Sequence, residues 1–314
     1  MPDSLVIQDI PSPQPGPDEI VMTVKAAAVN FPDYLMIQGK HQTRHDWPFT
    51  PGWEVAGVVK EVGADISDVR PGDPGVAMIK WGGYAEEALV PAERFWPIPH
   101  NMDFVSAAAF PLAYGTSYHA LKDRAHLQPG ETLLVLGAAG GVGIAAVQFG
   151  KLMGARVIAC ASSAEKLATC KAHGADELVN YAQEDLREAL KRLTGGRGVD
   201  VVLDPVGGQY AEPAVRSMAW NGRYLIVGFT GGAIPRIALN LPLLKGCSLV
   251  GVAWYTFSER EREGGREDFR EMAEWIASGR LKPLVSAVYP LEQAAKALDE
   301  VMSRRVQGKI ILRP

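Results

Sequence analysis

The chain has 314 residues, 47% of them apolar, and a single hydrophobic core rarely grows to that length, so two domains are expected. Its 32 basic and 36 acidic residues leave a net charge of −4, which gives no electrostatic footprint for nucleic acid, and no stretch reaches the ~18 apolar residues of a membrane span. Cys160, Cys170 and Cys247 are sparse and form no CxxC pair, and the amino terminus lacks a basic region followed by an apolar core, so the chain reads as a cytoplasmic protein with reduced thiols.

Residues 1 to about 100 are rich in Pro and Gly, and short apolar or alternating runs predict strands at 19–24, 55–62, 76–79 and 84–90, with a turn at Arg70-Pro-Gly-Asp73. From Ser106 the period changes. A helix over 106–121 is followed by strands at 131–136, 156–161, 177–180 and 200–203, alternating with helices at 142–153, 164–173 and 184–193. A helix near 210–219 and strands at 223–229 and 248–253 complete six strands, the pattern of a doubly wound parallel sheet. Residues 258–266 are charged and read as a solvated helix start or loop. The tail predicts a helix at 269–278, a strand at 285–289, a helix at 291–301 and a strand at 309–312, which can rejoin the first domain and make it discontinuous.

The apolar strand Leu133–Leu136 runs into Gly137-Ala-Ala-Gly-Gly-Val-Gly143 and then a helix, a turn that suits a dinucleotide pyrophosphate at a helix N-terminus. Ala139, Gly140, Gly141 and Val142 are the candidate phosphate contacts. The acidic residue that usually binds a ribose 2′-hydroxyl about 20 residues further on is missing. Ser162, Ser163 and Lys166 stand there instead, and hydroxyls with an ammonium suit a 2′-phosphate, which favours NADPH. Taken alone, Ser163 also suits a helix N-cap and Lys166 a solvated helix face.

The segments Ala27-Ala-Val-Asn-Phe-Pro-Asp33, Pro51-Gly-Trp-Glu-Val-Ala-Gly57, Arg70-Pro-Gly-Asp73, Pro111-Leu-Ala-Tyr-Gly-Thr116, Ala138–Gly143 and Gly308-Lys-Ile-Ile-Leu312 resemble the medium-chain dehydrogenase/reductase superfamily, and within it the zinc-independent NADPH:quinone oxidoreductase branch. The resemblance implies an α/β fold: a Rossmann doubly wound parallel sheet over 112–254, and a discontinuous, mostly β GroES-like catalytic domain over 1–111 and 255–314. Zinc-dependent relatives carry Cys where this chain has Asn30 and Gly-His-Glu where it has Gly52-Trp53-Glu54, so no catalytic metal is expected. No cysteine follows Pro91 where those relatives hold a structural zinc. His41 and His45, four apart with Pro48 close by, read as loop residues and not as a metal pair.

Without a Lewis acid, the chemistry implied is hydride transfer from NADPH to an acceptor that is already electrophilic, a quinone or an α,β-unsaturated carbonyl. The resemblance makes Tyr34 and Asn30 the catalytic candidates, Tyr34 as hydroxyl donor or proton source and Asn30 as donor to a carbonyl or to the cofactor. Asn30 equally suits a turn, and Tyr34 an ordinary half-buried aromatic. Thr116 is expected at the nicotinamide, Tyr181 near the 2′-phosphate or as a strand-end tyrosine, and Gly228 and Phe229 along the ring and its ribose. Asp204 reads as part of a loop near the cofactor and not as a catalytic acid.

Two features depart from the branch: the chain starts where relatives already have a short strand, which implies a displaced start or a lost edge strand, and Pro74 follows Asp73; Ala138 stands where classical dinucleotide enzymes have their first glycine, as is common in this branch. The alternatives to a quinone or enone reductase are a short-chain enoyl-CoA reductase, with Lys40, His41 and Arg44 as a CoA rim, and a crystallin-like NADPH-binding protein with little turnover. The apolar strand at 248–253 predicts a homodimer by edge pairing, and no membrane or nucleic-acid partner is expected.

Overall fold

The computed structural model describes residues 4–43, 45–99 and 102–314. In chain order the elements are β1 (Glu19–Val29), α1 (Phe31–Ile37), β2 (Glu54–Val62), β3 (Pro74–Met78), β4 (Glu87–Pro91), β5 (Phe95–Pro97) and α2 (Phe104–Ala109). The middle of the chain gives α3 (Ala113–His119), β6 (Thr132–Val135), α4 (Gly141–Leu152), β7 (Arg156–Ala161), α5 (Ala164–Ala172), β8 (Glu177–Asn180), α6 (Leu186–Leu193), β9 (Val199–Asp204), α7 (Ala211–Arg216), β10 (Met218–Ile226), α8 (Asn240–Lys245), β11 (Ser248–Gly251), α9 (Trp254–Arg260) and α10 (Arg262–Ala277). The tail closes with β12 (Val285–Pro290), α11 (Ala294–Met302) and β13 (Lys309–Arg313).

The chain divides into two compact units, one ending at Leu112 and resuming at Phe269–Pro314, the other spanning Ala113–Asp268. In the first, strands run in the order β12-β13-β1-β2-β3-β5, with β4 also paired to β1. β1 is the organising strand. It pairs with β2 along most of its length, with β4 over Glu19–Thr23 and with β13 over Ala27–Val29, all antiparallel. Ala26, Ala27 and Ala28 are wholly buried there, so this stretch reads as a continuous apolar run and not as an alternating one. The tail thus does return to the first sheet, and β12 then lies parallel to β13.

The single helix expected over 106–121 is two. Pro111 lacks the amide proton that would continue the helical ladder, so α2 ends at Ala109, with Phe110 as its C-cap, and α3 begins at Ala113. Asp103 caps α2 by accepting from the Val105 and Ser106 amides, both at 3.0 Å.

The second unit holds an all-parallel sheet in the order β11-β10-β9-β6-β7-β8, the doubly wound arrangement in which strand order reverses between β6 and β9. Its core is drawn from strand residues such as Leu134, Ile158 and Val202 with helix residues such as Ala189 and Val215. The second boundary between units falls at 268/269 and not at the expected 254/255. The charged segment 258–266 is helical, and α9 with the start of α10 packs on α3: Trp254 fills the space over Gly115, Phe257 stacks on His119 at 4.2 Å, and Lys122 pairs with Asp268 at 2.8 Å. Among the described residues no helix is long and apolar enough to cross a membrane.

Candidate functional site

Sheet register in the first unit brings three distant segments together. Ala28 lies opposite Glu54, and Val29 opposite Ile310, so the next residue pair along the ladder is Asn30 and Lys309. The result is a buried polar cluster. The Lys309 ammonium donates to Glu54 Oε1 at 2.9 Å, to the Val29 carbonyl at 3.4 Å and to Asn30 Oδ1. Asn30 Nδ2 donates to Glu54 Oε1 at 2.9 Å and to the Ala28 carbonyl at 3.2 Å, while Glu54 Oε2 accepts from the Leu112 amide at 2.6 Å. Both amide protons of Asn30 are therefore spent inside the unit. Its oxygen accepts from Lys309, so Asn30 holds the cluster together and has no proton left for a carbonyl.

Asp33 sits next to this cluster and is fully buried. Its carboxylate accepts from the Asn30 amide at 2.8 Å, the Gly52 amide at 3.1 Å and the Tyr84 hydroxyl at 2.9 Å. Burial pushes its pKa up to about 7, against the pull of the Tyr84 and Asn30 hydrogen bonds and of Lys309. The close approach at Gly52 requires glycine: its φ is +110°, and a Cβ would lie 2.6 Å from the Tyr84 nitrogen.

These residues do not fit a catalytic zinc. Where zinc-dependent relatives place ligands, Asn30 is an amide already bonded through both its oxygen and its nitrogen, and Trp53 is a buried indole donating to Met36 Sδ at 2.9 Å. The positive charge facing Glu54 is the Lys309 ammonium. Tyr34 on α1 is half-buried against the core of this unit, and its hydroxyl accepts from Gln38 Nε2 four residues on, which leaves its own proton to give.

In the second unit, the cofactor candidates gather at the carboxyl ends of parallel strands. The glycine turn follows β6, Ser162 and Ser163 follow β7, Tyr181 follows β8, and Gly228 and Phe229 follow β10. The glycines of the turn differ in what they do. A Cβ on Gly143 would lie 2.3 Å from the Gly137 carbonyl, so that glycine lets the helix start close to the strand. Gly140, the N-cap of α4, has φ −72° and ψ 170°, a backbone any residue adopts, and a Cβ there would meet only the Gly137 carbonyl at an ordinary 3.5 Å. Nothing within the unit demands a glycine at 140. The same holds at Gly228, whose Cβ would come no nearer than 3.5 Å to the Pro205 carbonyl. Bare backbone beside the amide end of a twelve-residue helix fits a close-lying phosphate, with Ala139, Gly141 and Val142 on the same turn.

Thr116 is half-buried on α3, and its neighbour Ser117 donates to the Val142 carbonyl at 2.7 Å, which ties α3 to the first turn of α4. Ser163 is the N-cap of α5, accepting from the Lys166 amide at 3.4 Å, and Lys166 Nζ lies 3.5 Å from Ser162 Oγ. The helix-cap reading of Ser163 thus holds, and Ser162, Ser163 and Lys166 stand together at one strand end. The Tyr181 ring packs on Tyr210 at 4.2 Å. Asp204 is structural: buried, it accepts from the Val206 and Gly207 amides at 2.7 and 2.8 Å and from the Tyr224 hydroxyl.

Sequence reasoning singled out Asn30 and Tyr34 but not Asp33, Glu54, Tyr84 or Lys309 as working members of one cluster. A signal for Lys309 was available: a lysine opening the apolar strand Lys309–Leu312 has no reason to be buried unless a carboxylate meets it.

Residues 16–100 match the alcohol dehydrogenase GroES-like domain family, and residues 141–278 match the zinc-binding dehydrogenase family. Quinone oxidoreductase-like protein 2 of Bos taurus is 39% identical over 98% of this chain and 88% of its own length. Among solved structures, the Escherichia coli quinone oxidoreductase complexed with NADPH superposes with a TM-score of 0.93 at 30% identity, covering 100% of this chain and 97% of that one. A 2-haloacrylate reductase superposes with a TM-score of 0.88 at 28% identity, covering 100% and 96%. The strand order, the glycine turn and these likenesses agree: the chain is an oxidoreductase belonging to the quinone oxidoreductase branch of the medium-chain dehydrogenase/reductase superfamily.

Proposed function

We propose that this oxidoreductase is an NADPH-dependent reductase that passes hydride to a quinone or an α,β-unsaturated carbonyl without a metal ion. The observation that carries the reading is the Lys309 ammonium bound to Glu54 and to Asn30, which puts a fixed organic cation against the amide that stands at a zinc-ligand position. NADPH supplies the hydride when bound. The chain's own contribution is binding and proton supply. The glycine turn and the α4 N-terminus suit the pyrophosphate, and Ser162, Ser163 and Lys166 suit a 2′-phosphate, with no carboxylate at the position that would repel it. Thr116, Gly228 and Phe229 are the proposed nicotinamide contacts and Tyr181 a contact of the 2′-phosphate end. Tyr34, with its hydroxyl proton uncommitted, is the proposed donor to the reduced acceptor, and Asn30 a positioning residue.

The NADPH complex of the E. coli relative supports the cofactor, and the 2-haloacrylate reductase supports an activated alkene as acceptor. The CoA rim is less well supported. His41 packs edge-on against Trp53 at 5.3 Å and burial lowers its basicity, so it is a poor cation, and Arg44 lies outside the described residues. A homodimer is proposed through β11, which is the edge of its sheet, with Trp220, Leu243 and Leu244 exposed in the second unit. A cytoplasmic setting is proposed from the three free cysteines.

NADPH oxidation assayed against 1,2-naphthoquinone, a 2-alkenal and acryloyl-CoA tests the reading. Turnover with the quinone or the alkenal is expected. Preference for acryloyl-CoA would favour the thioester reductase, and no turnover with any of the three would leave the crystallin-like alternative. Size-exclusion chromatography giving only monomer would contradict the dimer.

A further inference from the structure

α3 runs into a π turn over Ala120–Arg124, where the Ala125 amide donates to the Ala120 carbonyl at 2.9 Å, a rare backbone geometry that often marks a functional position. Three side chains that can ligate a metal meet around it within the second unit: His119 at the end of α3, Asp123 in the turn and Asp268 on α10. A donor atom of each lies within 4.8 Å of a donor atom of the other two. His119 Nδ1 is 2.7 Å from Asp123 Oδ2, and Asp268 Oδ1 accepts from Lys122 Nζ at 2.8 Å.

The charges of this group do not balance, since two carboxylates face one ammonium, and buried charges are ordinarily paired or bound to a metal. Asp268 is 2% exposed, and its Oδ2 is enclosed with no hydrogen-bond partner. The carboxyl beside it is that of Asp123, which has no proton to give when ionised. The Lys122 ammonium is held on the other oxygen of Asp268 and over the Tyr118 ring at 5.0 Å. The His119 ring is fixed by stacking on Phe257 at 4.2 Å, a contact through its face that does not use its nitrogens.

We propose that His119, Asp123 and Asp268 form a structural site for a divalent transition-metal ion of the zinc class, which staples α10 to the end of α3. One imidazole with two carboxylates suits such an ion better than Ca²⁺ or Mg²⁺, which take oxygen donors. Two donors at about 2.1 Å from an ion stand at most ~4.2 Å apart, so side-chain shifts of less than about 1 Å close the site. The ion takes the place of the proton between Nδ1 and Asp123, and the neutral imidazole then carries its N–H on Nε2. Lys122 stays on Asp268 Oδ1 and orients that carboxylate. The Asp123 side chain, 25% exposed, is the way in from solvent. None of the three residues is a proposed contact of NADPH or of the acceptor, so the ion holds the fold and takes no part in hydride transfer.

The test titrates the full chain, freed of metal with a chelator, with Zn²⁺ or with Co²⁺, whose visible absorption reports coordination. One equivalent bound per chain is expected, with the melting temperature raised by roughly 5 °C at a hundredfold excess over Kd. Asp268→Asn and Asp123→Asn should each raise Kd at least about 100-fold and abolish that rise. Each variant is compared with itself without the ion, so a change in its basal stability does not enter. Cys247→Ser, which alters the half-buried thiol, should bind as the native chain does. NADPH oxidation well below the melting temperature should be the same with and without the ion. No saturable binding, binding unaltered in both aspartate variants, or binding lost in Cys247→Ser would each overturn the site. So would an Asp268→Asn chain that melts above the native one while neither responds to Zn²⁺, which would assign the two carboxylates a shared proton instead.

Discussion

The two units solve opposite problems. In the first, charged and polar side chains are buried and spent on each other: Asn30, Glu54 and Lys309 share one set of bonds, and Asp33 collects three donors. In the second, the corresponding place is made of absent side chains and surface groups: Gly140 and Gly228, where a Cβ would make only ordinary contacts at 3.5 Å, and Ser162 beside Lys166 at a strand end. A saturated cluster fixes geometry, and its parts cannot be removed singly without leaving a charge unpaired. An open cradle tolerates change in the protein and loses only the ligand. Substitutions should therefore separate the units by what they damage.

The largest effect should come from Lys309→Met, which leaves Glu54 buried without its cation and should cost about 3–5 kcal/mol in urea unfolding. Adding Glu54→Gln should recover part of that loss, and a double-mutant cycle that shows no coupling would break the picture of a shared cluster.

Next comes pH. Asp33 holds its proton up to about pH 7 when folded, against an ordinary value of 3.8, so the folded chain binds the extra proton between those values. Stability should then fall as pH rises through that window, by on the order of 1 kcal/mol per pH unit at most, and level off above it. Tyr84→Phe removes a hydrogen bond that favours the charged form, so the decline should extend to higher pH. Chemical denaturation of both proteins across about pH 4 to 8 reads the difference, and superimposable profiles would contradict it.

A smaller pair of effects lies within one turn. Gly143→Ala forces a contact with the Gly137 carbonyl and should cost roughly 1–3 kcal/mol of stability. Gly140→Ala, whose Cβ meets only an ordinary contact, should melt well above Gly143→Ala yet bind NADPH weakly. Equal melting temperatures for the two variants would erase the distinction between a structural and a ligand-facing glycine. Smallest is Lys166→Ala, expected to lower NADPH affinity about tenfold with NADH affinity unaltered, as one charge-assisted contact is lost.

Much of the second unit could be read along the chain because its elements are local: β7 at Arg156–Ala161 and β8 at Glu177–Asn180 end where the apolar runs end. The expected helix over 106–121 did not allow for Pro111, which divides it. The charged stretch at 258–266 gave no sign that its neighbours Trp254 and Phe257 pack on α3, so the unit boundary moved to 268/269. The site divides the same way. The glycine turn is contiguous and announces itself. The cluster of the first unit joins residues up to 279 positions apart, and only the register of β13 on β1 shows that Lys309 meets Asn30. Asn30 itself was visible in the sequence, but that both its amide protons are committed was not.

The most direct measurement of the central claim is NADPH oxidation by 1,2-naphthoquinone after exhaustive dialysis against a chelator. Full retention of turnover, with no gain on adding Zn²⁺, is the result predicted by the Lys309 ammonium at the Asn30–Glu54 position. Activity lost on chelation and restored by Zn²⁺ would contradict it.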